Sequence, residues 1–163
     1  MSSWWEQFGQ GLSEDFSDLP GPATIARGVL RLLVAAVLGG ILGYEREREG
    51  KSAGMRTHVL VAVGGALFVL AGHQAGMTTS DVSRIIQGIV TGIGFLGAGT
   101  IIKHEDPSHI RGLTTAAGIW LTAAVGVTAG LGREVLAILT TLLAVIVLVA
   151  LPHVARPRNG QNS

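Results

Sequence analysis

The sequence contains no cysteine, which excludes disulfide bonds, thiolate metal sites, iron–sulfur clusters and cysteine nucleophiles. It is also poor in charge, because only 14% of its 163 residues are Asp, Glu, Lys or Arg, against about a quarter in a typical soluble domain. The formal net charge of +1 is too small to suggest a nucleic-acid-binding surface, so nucleic acid is not an expected partner. With 48% hydrophobic residues and little charge, the chain is typical of proteins that reside in lipid.

Five stretches are long and apolar enough to cross a bilayer, which takes about 20 residues of helix. They lie near residues 24–44, 57–76, 84–102, 113–131 and 134–151. The connection 130–133 is so short that the last two segments should form an antiparallel hairpin. The sequence therefore predicts an all-α integral membrane bundle of about five transmembrane helices over residues 23–151.

The chain ends differ from this central part. Residues 1–22 predict an amphipathic arm in the membrane interface, anchored by Trp4 and Trp5 and ended by Pro20 and Pro22; a disordered tail is the alternative. Residues 152–163 are predicted to be a cytoplasmic tail. The large apolar residues of the arm recur every three or four positions: Trp5, Phe8, Leu12, Phe16 and Leu19.

Lysine and arginine in the short loops predict the orientation in a bacterial inner membrane. They place the N-terminus outside and the C-terminus in the cytoplasm. The more basic side holds Arg46, Arg48, Lys51, Arg56, Lys103, Arg111, Arg156 and Arg158, and the other side holds Arg27, Arg31, Arg84 and Arg133.

Twenty-four glycines lie mostly within the apolar runs, where membrane helices use small residues to bring backbones together. Segment four has a four-residue stripe that should face the bundle interior, and segment three is expected to be either a central helix or a locally broken one. Segment five lacks glycine and should lie at the lipid-facing edge. The stripe in segment four is Thr114, Gly118, Thr122, Gly126 and Gly130, and segment three holds Gly88, Gly92, Gly94, Gly97 and Gly99.

Two motifs suggest chemistry that their context disfavours. Residues 92–97 match the dinucleotide pattern G-x-G-x-x-G, but they lie within a membrane span rather than between a strand and an amphipathic helix. The group His104, Glu105, Asp106 and His109 is interpreted as a solvated turn, with a divalent-metal site as the weaker alternative. No cofactor is expected, and metal ligands stay unassigned.

Charges at the ends of the spans are more informative, because an ionisable group in lipid is costly unless it is paired. Arg31 lies within the outer half of segment one, and Asp81 lies at the same membrane level, so an Arg31–Asp81 ion pair is one hypothesis. Snorkelling of the arginine to the headgroups is the alternative. On the cytoplasmic side, Glu45, Arg56 and Arg111 indicate anchoring with local ion pairs or a docking surface.

Five ordered motifs within residues 27–132 resemble the membrane domain of the MgtC/SapB family. They read GGILGYERE at 39–47, GMRTH at 54–58, DVSRIIQ at 81–87, GIGFLGAGT at 92–100 and RGLTTAA at 111–117. The resemblance implies a multi-pass inner-membrane protein associated with magnesium limitation, virulence and membrane energetics, including restraint of the proton-translocating ATP synthase. Longer members carry a cytoplasmic C-terminal domain, which is not expected here.

The leading hypothesis is a non-enzymatic regulator or accessory factor in magnesium homeostasis. Its expected partners are membrane lipid, further copies of itself or a larger membrane complex such as the ATP synthase. The alternative is a cation or small-solute transporter with Arg31 and Asp81 in the path. Candidate functional residues are Arg31, Glu45, Arg56, Asp81, Arg84, Gln87, Arg111 and Thr114, and candidate helix-packing residues are Gly92, Gly94, Gly97, Gly99, Gly118 and Gly126.

Overall fold

The computed structural model describes residues 3–17, 21–103 and 110–154. Helices dominate, and two short strands, β1 (Ile102–Lys103) and β2 (Ile110–Arg111), form an antiparallel pair in which Ile102 faces Arg111. This strand pair was not predicted. The helices are α1 (Trp4–Ser17), α2 (Pro22–Arg48), α3 (Met55–Gln74), α4 (Thr79–Gly99), α5 (Leu113–Gly130) and α6 (Glu134–Val154).

Five of these helices, α2 to α6, are long and apolar enough to cross a membrane. The predicted all-α membrane bundle is thereby confirmed, and the chain is a multi-pass membrane protein. Because consecutive spans alternate in direction, the bundle has two ends. The first-loop end carries connection 49–54 and the strand pair, and the hairpin end carries connections 75–78 and 131–133.

The centre of the bundle is built from small residues that bring α2, α3 and α5 close together. A Cβ atom added to Gly126 would overlap the carbonyl oxygen of Ala62, and one added to Gly130 would lie 2.7 Å from that of Ala66. A Cβ atom on Gly39 would lie 2.7 Å from the carbonyl oxygen of His58. Close backbone contact of this kind is how membrane helices gain packing energy where lipid offers no hydrophobic driving force.

Helix α6 lies at the edge of the bundle, as expected for segment five. It contributes Ala137, Thr141 and Ala144 to the interior, whereas its leucines and isoleucines at 136, 138, 139, 142, 143 and 146 are exposed on the surface of the chain. In a membrane this surface faces lipid or another protein.

Segment three was expected to be either a central helix or a locally broken one, and helix α4 is neither. It is continuous from Thr79 to Gly99, and it lies at the side of the bundle rather than in its centre. Gly97 contacts Ala116, with 3.5 Å between an added Cβ and the Ala116 Cβ. An added Cβ would meet no atom within 4 Å at Gly92, Gly94 or Gly99, so within this chain these glycines do not make the close helix contacts expected of them.

The N-terminal arm forms helix α1, and its aromatic rings contact one another. Trp4 stacks on Phe8 with ring centroids 5.6 Å apart, and Trp5 meets Trp4 edge to face. A helix in this region agrees with the sequence expectation, while its place in the membrane interface stays a prediction. The boundaries drawn at residues 22 and 151 also stay predictions, since most of the expected tail, 152–163, lies outside the described residues.

Candidate functional site at the first-loop end

A buried ion pair lies where α2 reaches the first-loop end. The Arg46 guanidinium binds the Glu45 carboxylate through two parallel hydrogen bonds, Nε to Oε2 and Nη2 to Oε1, the latter at 2.6 Å. The Arg46 side chain is 4% exposed and the Glu45 side chain 11%. Neighbouring residues on a helix point in different directions, so both side chains must bend toward each other. Two-point Arg–carboxylate pairing is strong and geometrically specific.

His58, in the first turn of α3, lies buried beside this ion pair. Its Nδ1 is 2.9 Å from the carbonyl oxygen of Gly54, and because a carbonyl oxygen only accepts, Nδ1–H is the donor. Nε2 is buried, and no described residue supplies it with a hydrogen bond. His58 borders a cavity of about 180 Å³ whose other lining residues, from α2, α5 and α6, are apolar except for Thr114.

Gly118 explains how α5 fits against these polar side chains. A Cβ added at Gly118 would lie 3.5 Å from His58 Nε2 and 4.0 Å from Arg46 Cδ. The small residue thus leaves space for the arginine stem and the imidazole. The Glu45–Arg46–His58 group, together with Gly118, is called here the polar cluster.

The connection between α2 and α3 is held by Glu47. Its Oε2 accepts a hydrogen bond of 2.8 Å from the backbone N–H of Met55, the first residue of α3. A Cβ added at Gly54 would lie 2.6 Å from this oxygen, so the glycine makes room for the carboxylate. Glu47 thereby satisfies one of the unpaired N–H groups at the start of a membrane helix.

A second, polar cavity of about 680 Å³ opens at the same end of the bundle. Arg111 and Thr114, two of the sequence candidates, lie together in its wall. The remaining lining residues come from the first loop, the end of α4 and the start of α5: Gly50, Lys51, Ser52, Thr100, Gly112, Leu113 and Thr115.

At the hairpin end, Arg31 has partners other than the one expected. Its Nη1 donates a hydrogen bond of 3.1 Å to the carbonyl oxygen of Gly130, and its Nε lies 3.7 Å from Oε1 of Glu134. The side chain thus joins α2 to the α5–α6 hairpin, where Gly132 adopts φ +74°. The hypothetical Arg31–Asp81 pair is not formed.

Asp81 caps α4 instead. Thr78 Oγ1 accepts from the Asp81 backbone N–H at 3.3 Å, and the Asp81 carboxylate accepts from the Thr78 backbone N–H at 3.2 Å. This reciprocal capping box stabilises the helix start. Arg84 and Gln87 lie exposed on α4, and Arg56 lies exposed at the first-loop end.

The sequence analysis did not select four residues that make contacts at these two ends: Arg46, Glu47, His58 and Glu134. Glu134 lies at the same membrane level as Asp81, so the reasoning that selected Asp81 applied equally to Glu134. No sequence signal distinguishes Arg46 from its exposed neighbour Arg48.

The possible metal group at 104–109 lies outside the described residues, and among the described residues no three His, Asp or Glu side chains are grouped to hold a metal ion.

Comparison with known proteins gives a consistent family. A protein-family model described as "MgtC family" matches residues 32–156 of this chain. The chain is 43% identical over 133 residues to "Putative magnesium transporter YhiD" of Escherichia coli K12, covering 76% of this chain and 60% of that protein. It is 42% identical over 133 residues to "Protein MgtC" of Salmonella typhimurium, covering 80% and 55%.

A third relative, "Protein SrpB" of Synechococcus elongatus, is 43% identical over 129 residues, covering 72% of this chain and 71% of that protein. The chain thus spans somewhat more than half the length of YhiD and of MgtC. No solved structure matches it. The extent of the family match, from the middle of α2 through α6, shows that this chain is a member of the MgtC family.

Proposed function

We propose that this protein is a non-enzymatic regulator or accessory factor in bacterial adaptation to low magnesium, acting in the inner membrane. The magnesium role is supported by the printed name of its relative YhiD, "Putative magnesium transporter". The regulatory role is supported by the apolar core of this chain. Partners would be a second copy or a larger membrane complex such as the proton-translocating ATP synthase, bound through the exposed helix surfaces.

One observation favours a regulator over a carrier. The charged side chains of the described spans collect at the two ends of the bundle, and the core clusters between them consist of alanine, leucine, valine and isoleucine. Thr122 and Thr141, the buried hydroxyls of this middle region, donate to carbonyls of their own helices at 2.8 and 2.9 Å. The described core therefore offers a cation no continuous path of oxygen ligands, which magnesium requires.

The proposed orientation places the first-loop end in the cytoplasm. Arg46, Arg48, Lys51, Arg56 and Arg111 all lie at this end, and positive residues in short loops favour the cytoplasmic side. The polar cluster and the polar cavity would then face the cytoplasm, where soluble regulators and the peripheral parts of membrane complexes reside.

Growth of a deletion strain in graded magnesium tests the proposal. We expect a defect below a threshold magnesium concentration and normal growth above it. Wild type and the exposed control Arg48→Gln should restore growth, whereas Glu45→Gln at equal abundance on immunoblots should restore it less well. Equal growth of the deletion strain and wild type at every magnesium concentration would refute the magnesium role.

A transporter is the second candidate, and the printed name of YhiD is the observation that favours it. In this form of the hypothesis Arg31 and Asp81 would line the path. Both side chains already make other contacts, since Arg31 joins α2 to the hairpin and Asp81 caps α4. Transport would therefore need a path formed between copies of the chain.

A further inference from the structure

We propose that the polar cavity at the first-loop end binds a phosphate-type oxyanion. The cavity has a volume of about 680 Å³ and is walled by the first loop, the end of α4 and the start of α5. This inference goes beyond the proposed function and does not depend on it. Three independent features of the wall support it: an uncapped helix start, a hydroxyl that makes no hydrogen bond within the described residues, and two basic side chains.

The start of α5 lacks the side-chain cap that α4 has. Its N-cap residue is Gly112, which has φ +95° and no side chain to accept from the first-turn N–H groups. A side chain at this position would also overlap the carbonyl of Thr100. The free N–H groups and the helix dipole make such a terminus attractive to anions.

Thr115 supplies the observation that points to a ligand. Its side chain lines the cavity although the residue is only 3% exposed. Thr122, Thr128 and Thr141 each donate to a carbonyl of the preceding turn at 2.8 to 2.9 Å. No hydrogen bond of the Thr115 hydroxyl is found within the described residues. The Thr115 hydroxyl therefore reaches the cavity without an acceptor of its own, and a ligand oxygen there would supply one.

Lys51 and Arg111 make the cavity basic. Lys51 comes from the first loop and Arg111 from β2, and both exposed residues line the cavity. Of the acids near the first loop, Glu45 binds Arg46 and Glu47 caps α3, whereas Glu49 lies exposed at the end of α2. Within the described residues no ion pair joins a carboxylate to Lys51 or Arg111.

The geometry suits a phosphate group in particular. Arginine donates two parallel N–H groups to phosphate oxygens, and lysine adds a point charge. Hydroxyls and helix N–H groups complete such sites. The phosphate could belong to inorganic phosphate or to the headgroup of an anionic lipid, because the cavity lies at the end of the spans, where headgroups reside.

Binding can be measured on the full chain purified in a neutral detergent. In the first arm, inorganic phosphate is titrated against chloride at constant ionic strength while thermal unfolding is followed, since a ligand of the native state raises the unfolding temperature. In the second arm, protein in nanodiscs with phosphatidylglycerol or only zwitterionic lipid is examined by native mass spectrometry for retained lipid. The variants are Arg111→Gln, Lys51→Gln and Thr115→Val, with Arg56→Gln as the charge-matched control at the same end.

We expect saturable binding in at least one arm, and the arm that responds identifies the source of the phosphate. Arg111→Gln should weaken it by about tenfold, as the loss of charge-assisted hydrogen bonds does, and Lys51→Gln and Thr115→Val by severalfold. Arg56→Gln should bind as wild type does. The proposal is overturned if neither arm shows saturable binding, or if Arg56→Gln weakens it as much as Arg111→Gln.

Discussion

Replacing Arg46 by methionine is expected to lower the free energy of unfolding by about 3–5 kcal/mol, the cost of removing one partner from a buried ion pair. Methionine fills the space of the arginine stem beside Gly118, but it leaves the Glu45 carboxylate, 11% exposed, without its two hydrogen bonds. Denaturation in mixed micelles, followed by tryptophan fluorescence, gives the comparison with wild type.

Two further variants separate this cause from general damage to α2. Arg48→Met changes an exposed residue two positions away and should unfold as wild type does. The double variant Glu45→Met/Arg46→Met removes both charges and should recover most of the lost stability, because apolar replacement of a whole buried pair is often neutral. A double variant as unstable as Arg46→Met alone would show that the ion pair is not the cause.

The substitution Gly126→Ala should lower stability by about 3 kcal/mol, although alanine is the better helix former. The added methyl group would overlap the carbonyl oxygen of Ala62, and this backbone atom cannot rotate away. Helices α3 and α5 would have to separate where their backbones meet. The same denaturation experiment, with the yield of folded protein from membranes, measures the effect.

Gly94→Ala is the matched control for this packing prediction. It makes the same chemical change in a membrane helix, but no atom lies within 4 Å of the added Cβ in this chain. Stability should therefore stay within about 1 kcal/mol of wild type. Equal losses at positions 94 and 126 would contradict the assignment of Gly126 to the helix interface.

The spans could be predicted from the sequence because the cost of exposing backbone polar groups to lipid forces long apolar runs into helices. The predicted stripe also indicated the interior face of α5, since Thr122, Gly126 and Gly130 are buried and Gly118 is partly buried, whereas Thr114 in the first turn is exposed. Helix α4 could not be predicted in this way, since glycines in an apolar run look the same whether they face a neighbouring helix or open space. Their surroundings depend on where the other helices lie.

The candidate site was less accessible to sequence reasoning. The positive charges of the short loops predicted that Glu45 and Arg111 lie at one end of the bundle. The alternation of Glu and Arg over residues 45–49 does not distinguish buried Arg46 from exposed Arg48. Arg31 was recognised as needing a partner, yet Asp81 and Glu134 lie at the same level, and the choice between them depends on the angle between helices. Asp81 is bound by Thr78 three residues earlier, a capping pattern that can be seen in the sequence.

Magnesium entry into proteoliposomes that contain a magnesium-sensitive dye tests the central claim, that this chain acts as a regulator without carrying ions itself. We predict that liposomes with purified wild-type protein take up Mg²⁺ no faster than protein-free liposomes, with or without a membrane potential, because the described core offers no polar path. Saturable uptake that is lost in Arg31→Ala or Asp81→Ala protein of wild-type stability would contradict the account and establish a transporter.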